Sequence, residues 1–196
     1  MMAHAVSRKI TEAKKKKSYK DFPLDFSSTL LYAKENGFSR YFDVEHKEKA
    51  KELFFSGYNC AQAVVGAYHK EMGLSFEDAV RLASPFGGGM GRLREVCGAV
   101  SGILMVLGAL QGYTDIADLS LKTTLYEKVQ ALAKQFAASH GGTYICRELL
   151  APLNVSEAPT PTPRTEDFYK TRPCAIFIED ACAIFDAFLE QQKKAD

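Results

Sequence analysis

The residues best suited to chemistry in this 196-residue chain are its five cysteines. Four of them share one placement, because each follows a local signal for the start of a helix. These four are Cys60, Cys97, Cys146 and Cys174. The free amides and the dipole at a helix N-terminus favour an anion, so we expect lowered thiol pKa values at these positions. Thiolates bind soft metals and attack disulfides, so the placement predicts metal binding or thiol redox chemistry.

The cysteine spacing leaves three uses open. The sequence has no Cys-x-x-Cys pair, so spacing alone indicates neither a zinc nor an iron–sulfur motif, and without Cys-x-x-Cys-His it does not predict covalent c-type haem. One use is an iron–sulfur cluster or another thiophilic metal held by all four thiols. A second is metal-free exchange between dithiol and disulfide, with Cys60 and Cys97 as the candidate catalytic pair. In the third, the cysteines only pack the core of a binding or scaffold protein.

The fifth cysteine, Cys182, is predicted to belong to the core. It follows Cys174 by more than two turns of the same predicted helix, about 12 Å along the axis. Disulfide-bonded residues seldom exceed about 7 Å between Cα atoms, so these two cysteines are not expected to pair.

Other candidate site residues lie next to the cysteines in sequence. Four arginines would lower the thiol pKa values further if they point inward: Arg92, Arg94, Arg147 and Arg172. Among the histidines only His140 is near a cysteine, and it fits better as the last residue of a helix. The glycine loop, residues 87–91, lacks the Walker pattern but permits close backbone approach. We take four glycines as candidate cofactor-binding positions: Gly88, Gly89, Gly91 and Gly98.

The elements that must position these residues are helices, because apolar residues recur at helical spacing from Asp43 onward. The segment from about Arg94 to Gly112 is apolar on nearly all sides, which predicts a buried central helix with small residues for close contacts. No segment alternates like a strand. The prediction is an all-α, single-domain helical bundle around a buried Gly-rich central helix. Five prolines within residues 152–173, here termed the connector, predict an extended linker inside that domain.

The composition of the chain excludes several classes of function. The formal charge of +1 provides no overall field for nucleic acid, and no apolar stretch reaches the roughly 20 residues of a membrane span. The N-terminus lacks an apolar secretion signal, so we expect a cytoplasmic protein. Residues 1–42 are predicted to form an arm that carries the basic run Lys14–Lys17, and residues 43–196 the helical four-cysteine domain. Small-residue stripes on helices favour a homodimer.

Four cysteine contexts occur in the order of a known family. They are Gly57-Tyr58-Asn59-Cys60-Ala61-Gln62, the glycine loop leading to Cys97-Gly98-Ala99-Val100-Ser101-Gly102, Cys146-Arg147-Glu148-Leu149, and Cys174. Together they resemble the C_GCAxxG_C_C family of redox-active proteins over about residues 45–190. The order here is Cys-Gly-Ala-x-x-Gly, whereas the family name has Gly-Cys-Ala-x-x-Gly.

The resemblance implies a helical protein, found largely in anaerobic bacteria and archaea. The family cysteines correspond to Cys60, Cys97, Cys146 and Cys174 and would bind a metal or cluster or exchange electrons, which in turn implies a redox partner protein. The related split-Soret cytochromes carry haem-attachment motifs that this chain lacks, so no haem function is expected.

Overall fold

Helices form nearly all of the regular structure in the computed structural model, which describes residues 46–195. In chain order the helices are α1 (His46–Phe55), α2 (Cys60–Ala67), α3 (Phe76–Ala83), α4 (Gly98–Gln111), α5 (Leu119–Ser139), α6 (Cys146–Leu149), α7 (Glu166–Thr171) and α8 (Cys174–Ala195). Shorter helical turns occur at Ser84–Phe86, Gly87–Met90 and Ala151–Leu153. Within the described range the β-type pairing is a single bridge between Val96 and Ile145. The predicted all-α class is confirmed.

Local capping explains where the helices begin. Asn59 caps α2 through a complete capping box, since its side chain accepts from the Gln62 amide and the Gln62 side chain accepts from the Asn59 amide. Ser75 caps α3 and Asp118 caps α5 in the same general way, with side-chain oxygens accepting first-turn amides. These starts were all predictable from short sequence signals.

The buried central helix is α4, as predicted. Eight of its fourteen residues are buried, and it packs against α2. Gly102 permits this approach, because a Cβ atom there would lie 2.7 Å from Cβ of Val64. Gly108, in the same helix, makes no such close contact with the described residues, since a Cβ there would meet nothing within 4 Å.

Two predicted segments differ from the structure. Helix α4 begins at Gly98 rather than near Arg94, because Arg94 has a positive φ of 59° and Val96 pairs with Ile145. The connector is not extended throughout, since it contains α7, capped by the side chain of Thr165.

Two further predictions concern the N-terminal arm and membrane-spanning helices. The predicted arm and its Lys14–Lys17 run lie outside the described residues. In residues 46–195, no helix combines the length and apolar character needed to cross a membrane.

Candidate functional site

Four of the five cysteines line one cavity of about 290 Å³. Cys60, Cys146 and Cys174 are the first residues of α2, α6 and α8, and Cys97 is the N-cap residue of α4. The predicted placement at helix starts therefore holds for all four. The tertiary structure adds that these four starts converge, although they are separated by up to 114 residues along the chain.

The thiols form a connected group rather than four separate ones. Cys174 is the neighbour that most strongly affects the ionisation of Cys60, and Cys97 and Cys146 interact electrostatically with Cys60. Cys174 is therefore a second candidate partner for Cys60, and the Cys60–Cys97 pair of the sequence analysis stays a prediction. Cys60 is a partly exposed residue, and the other three are buried.

The expected lowering of thiol pKa values is wrong for three of these residues. The hydrogen bond with Cys174, together with burial, raises the pKa of Cys60 well above its usual range. Burial is the main cause of the raised pKa of Cys97 and of Cys146. Backbone amides at the start of α4 act on Cys97 in the opposite direction, and Arg94 does so on Cys146. Helix starts do favour thiolate, but removal from water outweighs them here.

The glycine loop forms one wall of the cavity. All four candidate glycines, namely Gly88, Gly89, Gly91 and Gly98, line it. Gly89 has a φ of 70°, and a Cβ atom there would lie 2.7 Å from Cβ of Cys146 and 2.9 Å from the Glu95 amide nitrogen. Gly98 brings α4 against Cys60, since its Cβ would lie 3.0 Å from that of the cysteine. These glycines set the close approach of backbone to thiols, and their role toward a cofactor stays a prediction.

Arg94 is the most deeply buried charge at the site, with 2% of its surface exposed. Its Nη2 and Nε donate to the carbonyl oxygen of Ser156 at 2.7 and 3.2 Å, which fastens the connector over the cavity. Its Nη1 lies 3.5 Å from the Gly88 carbonyl oxygen and 4.0 Å from Sγ of Cys146. A single side chain therefore links the connector, the glycine loop and a thiol.

Two more arginines enter the cavity from the connector. The guanidinium carbons of Arg164 and Arg172 lie 4.5 and 4.7 Å from the centre of the Phe168 ring, so both cations rest on one aromatic side chain. Burial, together with the charges of Arg94 and Arg164, lowers the pKa of Arg172, although Cys174 acts in the opposite direction. The cavity therefore has a strong positive potential.

Several candidates lie elsewhere. Arg147 points outward and forms ion pairs with Glu95 and Glu157, so it does not meet the condition of pointing inward toward the thiols. His140 caps the end of α5 and pairs with Asp180 at 3.1 Å, which agrees with its predicted structural role. Cys182 is fully buried in the core and does not line the cavity, which confirms the core assignment.

Sequence reasoning missed Arg164 and the part of the connector around Ser156. Arg164 follows Pro163 and precedes Thr165, the cap of α7, so a lone cation between a proline and a helix cap was the available signal. Ser156 contributes through its backbone carbonyl oxygen, and the residue type gives no signal for a backbone contact.

The donor set fits a soft metal in chemical type, because four cysteine sulfurs line one cavity. The side chains are not arranged as a ligand cage, however. Over the described range, no three or more histidine, cysteine, aspartate or glutamate side chains are grouped so as to hold a metal ion.

The fold and cavity define a class of protein: an all-α domain whose chemistry-bearing groups are thiols gathered at helix starts. The chain belongs to the C_GCAxxG_C_C family, described as "Putative redox-active protein (C_GCAxxG_C_C)", whose sequence profile matches residues 58–188. All four cavity cysteines fall within the matched range, and the resemblance inferred from the sequence is confirmed. No curated protein and no solved structure matches the chain.

Proposed function

We propose that the cavity is a dithiol redox site in which Cys60 and Cys174 alternate between two thiols and one disulfide. The observation that supports this most directly is the interaction of these two cysteine side chains inside a cavity lined by four cysteines. A disulfide needs the two Cβ atoms about 3.5–4.5 Å apart, so the proposal requires that these side chains reach that separation on oxidation.

The reaction is a two-electron exchange with an external disulfide, carried by a small molecule or by a redox partner protein. One cysteine thiolate attacks a sulfur of the external disulfide, which releases one external thiol and leaves a mixed disulfide. The second cysteine then attacks the protein sulfur of that mixed disulfide and releases the other external thiol. The protein loses two electrons and two protons, and the external disulfide gains both.

The exposure of the two cysteines sets the order of these steps. Cys60 is the partly exposed member of the pair and Cys174 is buried, so Cys60 is the sulfur that meets the external disulfide. Cys174 then resolves the mixed disulfide from inside. Arg164 favours the Cys60 thiolate electrostatically, because its positive charge opposes the upward shift of the Cys60 pKa.

The test is to locate the disulfide in oxidised protein. Reduced wild type is treated with oxidised glutathione, the remaining thiols are alkylated, and non-reducing peptide mapping identifies the linked peptides. We expect a Cys60–Cys174 link in wild type and its loss in Cys60→Ser and Cys174→Ser.

Cys182→Ser is the matched control, because Cys182 lies in the same helix as Cys174 but outside the cavity. This variant should form the link as wild type does. A dominant link from Cys60 to Cys97, or four free thiols after oxidation, would contradict the proposed pair.

An iron–sulfur cluster or another thiophilic metal is the second candidate, favoured by the convergence of all four cysteines on one cavity. Cys60, Cys97, Cys146 and Cys174 would hold it, and the group would supply electron transfer. Closure of the side chains onto an ion would release their thiol protons, so uptake should strengthen with pH. Anaerobic purification with absorption spectroscopy and iron, sulfide and zinc assays tests it. Metal-free protein with four free thiols and unchanged folding would contradict this candidate.

A further inference from the structure

The described residues that line the cavity carry an excess of positive charge. Four arginines line it, namely Arg92, Arg94, Arg164 and Arg172, and among the described residues that line it none is aspartate or glutamate. Within residues 46–195 the arginine ion pairs involve Arg81 and Arg147 instead. The cavity cysteines supply no negative charge as thiols. Among the described residues, no carboxylate side chain of the cavity lining therefore offsets these positive charges.

Two of these arginines, Arg164 and Arg172, are held in an energetically unfavourable arrangement. Arg164 and Arg172 share the Phe168 ring although like charges repel. The Nη1 atom of Arg164 is buried without a hydrogen-bond partner in the described part of the chain, although Nη2 donates to the Tyr58 carbonyl oxygen at 3.4 Å. A buried donor without a hydrogen-bond partner destabilises the fold. A bound acceptor at this point would relieve both the missing hydrogen bond and the repulsion.

Arg92 and Arg94 differ from that pair because their donors are already used. Arg92 donates to the connector at Ser156 and Thr162, and Arg94 holds Ser156 and Gly88. They contribute fixed positive charge and keep the connector closed over the cavity, while the free donors belong to Arg164 and Arg172.

We propose that this cavity binds a small organic anion, with its carboxylate or phosphate group held by Arg164 and Arg172 beside the Cys60–Cys174 pair. Guanidinium groups match the oxygens of such anions with paired hydrogen bonds. Aromatic side chains already fix the guanidinium of Arg164, which lies 4.9 Å from the Phe54 ring centre and 4.5 Å from that of Phe168. The donors are thus oriented before any ligand arrives, which lowers the entropy lost on binding.

Cavity size and lining set the scale of the ligand. A volume of about 290 Å³ lies at the lower end of small-molecule sites, so the anion is metabolite-sized rather than polymeric. Part of the cavity wall is apolar and is formed by Leu149, Leu150 and Phe177. This part suits a ligand with a hydrocarbon body behind its charged group. Binding of this anion does not depend on the proposed redox function.

The binding test uses the reduced full-length protein at pH 7 and constant ionic strength. Isothermal titration calorimetry is carried out with sodium phosphate, sulfate, acetate and benzoate, with sodium chloride as the reference salt. We expect saturable one-to-one binding of at least one of these anions. Tighter binding of phosphate or sulfate would show that the site prefers a tetrahedral anion. Tighter binding of benzoate than of acetate would show that the apolar wall contributes to affinity.

Two variants locate the site. Arg164→Gln and Arg172→Gln should each weaken binding about tenfold or more, since each removes charge-assisted hydrogen bonds. Arg81→Gln is the matched control, because Arg81 is an exposed cation on α3, outside the cavity. Circular dichroism verifies folding, and Arg172→Gln decides the result if Arg164→Gln does not fold.

The outcomes separate the two proposals. Absence of saturable binding by all four anions, or binding that is unchanged in both cavity variants, overturns the anion site. The anion test uses reduced protein and measures binding, whereas the disulfide test uses oxidised protein and maps a covalent link, so each can fail without the other. Anion binding in wild type together with failure of the disulfide test would therefore count against the redox proposal alone.

Discussion

At the scale of single residues, Arg94 and Arg147 show how similar positions in sequence acquire different roles. Both lie close to a cysteine in the chain, and the sequence analysis gave them the same role. Arg94 is buried and donates to backbone carbonyls of two segments, whereas Arg147 is half exposed among surface carboxylates. Their contributions to stability should therefore differ.

We expect Arg94→Gln to lower the free energy of unfolding by about 2–4 kcal/mol, because the Ser156 and Gly88 carbonyl oxygens lose charge-assisted hydrogen bonds inside the protein. Arg147→Gln should cost at most about 1 kcal/mol, as exposed ion pairs contribute little. Urea unfolding measures both values. Limited proteolysis should also cut the connector of Arg94→Gln faster than that of wild type. Equal losses in the two variants would refute this ranking.

At the scale of elements, helix starts show where local sequence signals are sufficient and where they are not. Asn59 and Ser75 cap their helices with groups of the same turn, so these two starts can be read from the sequence. The start of α4 was misplaced, because residues 94–97 are occupied with the distant segment around Ile145 and with the connector. Helix existence followed from periodicity, whereas this boundary depended on tertiary partners.

Two glycine substitutions separate required glycines from permissive ones. Gly89→Ala should destabilise the protein by about 2–4 kcal/mol, because the positive φ is strained for alanine and backbone atoms of residues 94 and 95 block the new Cβ. Gly108→Ala should stabilise it by up to about 1 kcal/mol, since the position is an open, exposed helix interior. Thermal unfolding monitored by circular dichroism compares them. A neutral Gly89→Ala would show that the loop does not need its close approach to Cys146.

At the scale of the whole molecule, a buried polar group joins the first and last described helices. The His46 ring on α1 stacks on Tyr68 and lies 2.9 Å from Asp186 on α8 and 3.3 Å from Glu71. Burial by itself lowers the pKa of His46, but the hydrogen bonds to Asp186 and Glu71 outweigh it and raise this pKa to about 9. The charged imidazole is therefore part of the fold at neutral pH.

Stability should fall with rising pH for this reason. The ordinary pKa of His46 is 6.5, so its contribution is complete below about pH 6.5 and is lost as the pH rises toward 9. Guanidinium unfolding at pH 6, 7 and 8 should show a falling free energy, with a slope of up to about 1.4 kcal/mol per pH unit. In His46→Gln this decline should largely disappear. Four thiols with raised pKa values, those of Cys60, Cys97, Cys146 and Cys182, interfere little in this range, because they weaken the fold only near and above the ordinary thiol pKa of 9.0.

The sequence by itself determined the all-α class, the caps, the central helix and the placement of four cysteines at helix starts, because each depends on neighbours within a turn or two. Only the tertiary structure decided that Cys174 and Arg164 line the same cavity as Cys60, and that the pKa values of Cys60, Cys97 and Cys146 rise instead of falling. Burial and charge are set by atoms that are close in space but distant along the chain. A helix start can favour a thiolate, but the surrounding packing determines how much water remains to stabilise it.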